Sequence, residues 1–115
     1  MFVPYIVASA VLALLLTFSA WAKLTRNETV VTTMTGIGVP LTWFPYLATC
    51  EVAGAVGLLA GIVVPPLGIA AAIGVILYFA GAVYFHLRAH DKAVAPPLVI
   101  LIIAVAALVL RIAAG

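Results

Sequence analysis

Four long runs of apolar residues follow one another along the chain, at residues 3–24, 42–64, 67–88 and 96–111, with polar breaks between them. Each run is apolar on every face. Strands of a membrane barrel alternate apolar and polar residues instead. A helix needs about 20 apolar residues to cross a bilayer, and it satisfies its own backbone hydrogen bonds there. The pattern therefore predicts four membrane-spanning helices. Pro4 stands at the start of the first, where a missing N–H costs nothing. Thr42 is the expected N-cap of the second, with Pro45 in its first turn. Pro65-Pro66 is expected to end that span and make a tight hairpin with the third. Arg88-Ala89-His90-Asp91-Lys92 separates the third from the fourth.

Residues 25–41 form the one long connection. Thr25 and Glu28 have capping-box spacing, and Val30, Val31, Met34 and Ile37 recur at helical intervals. Gly36 and Gly38-Val39-Pro40 then stop the pattern. A short amphipathic helix is expected here, in the interface or dipping into the bundle mouth; a plain loop is the alternative. No internal repeat is evident. The expected fold is all-α: a transmembrane four-helix bundle, one domain over residues 1–115, with a short interfacial helix between spans one and two.

Composition agrees. Of 115 residues, 68% are hydrophobic and 7% charged, whereas soluble domains carry about a quarter charged residues. Most soluble enzyme folds, nucleic-acid binding and disorder are excluded, and the lipid bilayer is the first partner. The single cysteine, Cys50, permits no intrachain disulfide. Ala20-Trp21-Ala22 has the form of a signal-peptide cleavage site, but no Lys or Arg precedes the first apolar run, so that run is expected to be retained. Lys23, Arg26, Arg88 and Lys92 flank the connections one–two and three–four, against Arg111 on the opposite side. The positive-inside rule then places both termini outside the cytoplasm, in a multi-pass protein of the cell membrane.

A few polar residues need an account. Glu51 lies roughly 13 Å into span two, where a lone carboxylate costs roughly 2.5–3.5 kcal/mol on insertion scales. It must be protonated, paired or facing a wet cavity. Lys23 ends span one, and His86 and Arg88 end span three, so an up-down bundle brings all three toward Glu51. Gly54, Gly57 and Gly61 follow Glu51 at helical spacing and allow close helix approach. Gly74, Gly81 and Arg88 share a face of span three, with Tyr78 and Phe85 beside it. His86 is the natural titrating group near neutral pH. Two readings stand for this set: a binding or acid–base site with Glu51 and His86 at its centre, or an ion pair that only pins helices. Trp21, Trp43, Phe44 and Tyr46 gather near one interface, as an aromatic belt or as a flat wall for a ring-containing ligand. His86 and His90 lack the context of a metal motif, and no metal is expected.

In several short elements the sequence resembles the DoxX-like family of small four-span membrane proteins. They are Ala22-Lys23-Leu24, Gly38-Val39-Pro40, the segment from Glu51-Val52-Ala53-Gly54 through Leu59, Ala82 through Arg88, and Ala95-Pro96. Their order and spacing cover nearly the whole chain. Ser19-Ala20 departs from the pattern, since the family often has a glycine before its Lys-Leu pair. The resemblance implies a four-helix bundle. The family name comes from a membrane subunit associated with quinone-linked sulfur oxidation, and other members look like assembly or trafficking factors.

Several functions follow as expectations. One is a polar pocket around Glu51 for a hydrophobic small molecule, such as a quinone, serving a membrane redox partner. Lys23, Arg88, Trp21, Trp43, Tyr46 and Tyr78 are its candidate binding residues. No haem, flavin or iron–sulfur motif is present, so no cofactor is expected and electrons come from elsewhere. The second is an acid–base enzyme on a lipid-like substrate, an isomerase, cyclase or epoxide-opening enzyme, with Glu51 and His86 as acid and base. The third is a non-catalytic helper that docks on another membrane protein, or on a second copy, through its glycine-striped helices.

Overall fold

A computed structural model describes residues 2–90 and 94–114. Five α-helices follow in order: α1 (Phe2–Leu24), α2 (Glu28–Gly36), α3 (Phe44–Ala60), α4 (Pro65–Arg88) and α5 (Ala95–Ala114). A 3-10 turn at Leu41–Trp43 leads into α3. Among the described residues there is no strand. Four of the helices, counting the 3-10 turn with α3, are long and apolar enough to cross a membrane. The fold is an all-α bundle in which α1 packs on α3, α3 on α4, α4 on α5, and α5 back on α1. Tyr5, Leu12, Leu16, Leu58, Val75 and Phe79 form the shared core. Outward positions stay apolar, as at Leu14 and Leu77, because the surrounding solvent is hydrocarbon.

The short helix of the long connection starts differently from the expectation. Thr25 bonds back to the Trp21 carbonyl at 2.8 Å. Asn27 caps α2 instead, its side chain accepting from the Thr29 and Val30 amides. The reason lies in the end of α1. Arg26 takes a left-handed conformation (φ 53°), and the Asn27 amide reaches the Ala22 carbonyl at 2.9 Å. This Schellman closure uses up the turn in which Thr25 would have capped. At the other end of α2 the same closure recurs with Gly38 at φ 95°, as the glycines led one to expect. Val30, Val31 and Met34 then pack onto Ile37, Val39 and Phe44, so α2 covers one mouth of the bundle.

Span two is shorter than its apolar run. α3 stops at Ala60, and residues 61–64 make the turn. Val64 is extended because a residue before proline is pushed out of the helical region. Pro65 and Pro66 open α4 rather than closing α3. Thr42 caps nothing: the N-cap positions are Pro40 and Trp43, neither with a side-chain cap. The glycine stripe of α3 does meet a helix. A Cβ on Gly61 would collide with the backbone of Gly68, and one on Gly57 would come within 2.7 Å of the Ala71 Cβ. The expected face of Gly74, Gly81 and Arg88 is not a packing face at Gly74, where a Cβ would meet nothing within 4 Å. Lys92, counted for orientation, lies outside the described residues.

Candidate functional site

Three helices converge on one carboxylate oxygen. Glu51 is fully buried two turns into α3. Lys23, in the last turn of α1, is also buried, and its Nζ lies 2.7 Å from Glu51 Oε1. From α4, the Tyr78 hydroxyl donates to the same oxygen at 3.1 Å. Lys23 Nζ further donates to Ser19 Oγ, one turn back on α1, at 2.8 Å. Glu51 Oε2 is out of solvent and has no partner among the described residues. Either charge alone would be costly at this depth. Together, at hydrogen-bond distance, they offset much of that cost.

Beside this pair lies a half-open cavity of about 560 Å³ between α1, α2, the 3-10 turn and start of α3, α4 and the start of α5. Its walls are mostly apolar, with Phe18, Phe79, Phe85 and Pro97 among them. Polar groups enter at few points: Ser19 and Lys23 from α1, Thr29 and Thr33 from α2, Tyr78 and His86 from α4. Glu51 is not on the wall. It stands behind Lys23 and Tyr78, which are.

His86 is buried, and its Nδ1 lies 2.8 Å from the Ala82 carbonyl one turn back. A carbonyl can only accept, so Nδ1 carries the proton. In a neutral ring with that tautomer, Nε2 is the acceptor nitrogen. His86 bonds its own helix, and Lys23 rather than His86 or Arg88 is the basic partner of Glu51.

The other expected residues divide. Trp43 lies on the cavity wall, edge-on to Phe85 at 6.5 Å between centroids. Trp21 and Tyr46 are 61% and 74% exposed and stand off that wall. Arg88 is exposed and stacks over the Phe85 ring at 5.4 Å. Phe44 leaves the aromatic belt altogether and is buried with Ile37 and Val39. Ser19 was not among the sequence candidates. Its signal was its place four residues before Lys23, which puts the hydroxyl on the same helix face.

A membrane-embedded four-helix bundle with a buried Lys–Glu pair near one mouth is thus the class of protein. The sequence profile of the DoxX-like family matches residues 7–107, and the chain belongs to that family. The matched stretch contains Lys23, Glu51, Tyr78 and His86 and stops short of Arg111. None of the curated proteins and none of the solved structures matches the chain.

Proposed function

We propose that this DoxX-like membrane protein binds a lipophilic small molecule bearing a carbonyl group in the cavity beneath α2, and serves a membrane redox partner. A quinone is the fitting member of that class. The observation that carries the reading is the count of donors on Lys23. An ammonium has three N–H bonds. One goes to Ser19 and one to Glu51. The third is left for a group in the cavity. Tyr78 spends its only proton on Glu51, so it has only acceptor capacity left for a ligand. The site therefore offers a cationic donor in an apolar slot, which suits a carbonyl oxygen on a flat apolar ring.

Trp43 on the cavity wall supplies the assay. The chain has two tryptophans, so Trp21→Phe leaves Trp43 as the sole source of tryptophan emission. Titration of that protein in nanodiscs with a short-chain benzoquinone is expected to quench its emission saturably. Lys23→Met should weaken the apparent affinity by about tenfold or more, the worth of a charge-assisted hydrogen bond. Quenching that rises linearly without saturation, as from quinone dissolved in lipid, would refute the reading.

One observation favours a second reading, acid–base catalysis on a lipid-like carbonyl compound. His86, whose Nδ1 bonds its own helix, lines the cavity that also contains the Lys23 donor. Lys23 would hold developing negative charge while His86 takes the proton. Under this reading His86→Gln removes turnover of such a substrate and leaves its binding in place.

A further inference from the structure

The opposite end of the bundle contains a second buried charge, with no counter-ion among the described residues. Arg111, in the last turn of α5, is 4% exposed. Its Nε and Nη1 are out of solvent and have no acceptor among the described residues. What surrounds the guanidinium is aromatic. The rings of Tyr5 and Phe2 lie 5.3 and 5.9 Å from Cζ. The Tyr5 hydroxyl donates to the Leu58 carbonyl at 2.8 Å. The Arg111 stem runs along Gly68, where a Cβ would stand 3.4 Å from Cδ.

No acidic side chain among the described residues serves. Glu51 is paired with Lys23 at the other mouth, and Glu28 opens α2 there. Asp91 falls in the connection between α4 and α5, outside the described residues. Guanidinium groups keep their charge under ordinary conditions, so Arg111 cannot escape by losing its proton. Ring faces attract the cation but accept few hydrogen bonds. The unmet need is an anion with several acceptor oxygens.

Depth and access say which. α5 is 20 residues long, which at 1.5 Å per residue is about the thickness of the hydrocarbon core. Its last turn therefore stands at headgroup level. Phe2, the outer of the two rings in sequence, is 44% exposed, so a group arriving from the interface displaces little. We propose that Arg111 is a binding site for the phosphate of an anionic phospholipid, held at the seam of α1 and α5. The site is independent of the cavity near Lys23.

Native mass spectrometry of the whole chain, released from detergent with dioleoylphosphatidylglycerol or with uncharged dioleoylglycerol, tests this. Phosphatidylglycerol should be retained about tenfold more than the uncharged lipid, as expected for charge-assisted bonding. Arg111→Gln should bring the two lipids to parity. If that variant does not fold, thermal melting of the unaltered protein serves: phosphatidylglycerol should raise the Tm and dioleoylglycerol should not. Retention unchanged in Arg111→Gln, or equal stabilisation by both lipids, overturns the proposal. Equal stabilisation by inorganic phosphate alone overturns the lipid as its source.

Discussion

At the scale of single residues, the Lys23–Glu51 pair sets the chemistry of the loop-side mouth. Removing one partner leaves a buried charge, whereas removing both leaves a polar or apolar contact of similar volume. Lys23→Met is thus expected to lower stability by roughly 3–5 kcal/mol. Lys23→Met with Glu51→Gln should recover more than half of that loss. Unfolding in detergent, followed by circular dichroism, measures both. Strictly additive losses would mean that the two groups do not act as a pair. That Glu51 needed a proton, a partner or a wet cavity was legible from its depth in an apolar run. Which cation it found was not. Lys23, His86 and Arg88 all stand at the right level, and the choice depends on the rotation of α1 and α4 about their axes. Such rotation is fixed by packing partners, as where Gly61 meets Gly68, and such partners are hard to pair up from apolar periodicity when every face is apolar.

At the scale of elements, the α3–α4 hairpin is the tightest joint. Gly61→Ala pushes a methyl group into the Gly68 backbone and the Tyr5 hydroxyl, neither of which can yield cheaply. A loss of about 1–3 kcal/mol is expected, as for overpacking elsewhere. Gly74→Ala is the control, since its added methyl meets nothing within 4 Å. It should be neutral or stabilise by up to about 1 kcal/mol through helix propensity. Gly61→Ala should therefore lower the Tm and Gly74→Ala should not, and equal losses would contradict the packing. The four spans were legible because hydropathy marks them strongly. Their ends were less so: α3 stops at Ala60 although apolar residues continue through Val64, since Pro65 dictates geometry where hydropathy is silent. The start of α2 was misplaced for a like reason. Thr25 and Asn27 are both good caps, and the left-handed turn at Arg26 decides between them.

At the scale of the whole molecule, the charge count predicts an orientation. Arg26 and Arg88 are exposed at the mouth covered by α2, whereas Arg111 is buried at the other end. With Cys50 replaced by Ser, a cysteine at Ala114 should react with an impermeant maleimide in intact cells. Reaction only after permeabilisation would place the termini in the cytoplasm. The packing order has a further consequence, for synthesis. Every span lies against the one made before it, and among the described residues the α5–α1 seam is the one extended span pairing between distant parts of the chain. Spans inserted in sequence can dock as they arrive, with little loop to close. Lys23 enters the bilayer early and waits for one helix before Glu51 arrives to neutralise it. Tyr78 follows with the next span. The polar cluster is therefore complete once three spans are in place, before α5 docks.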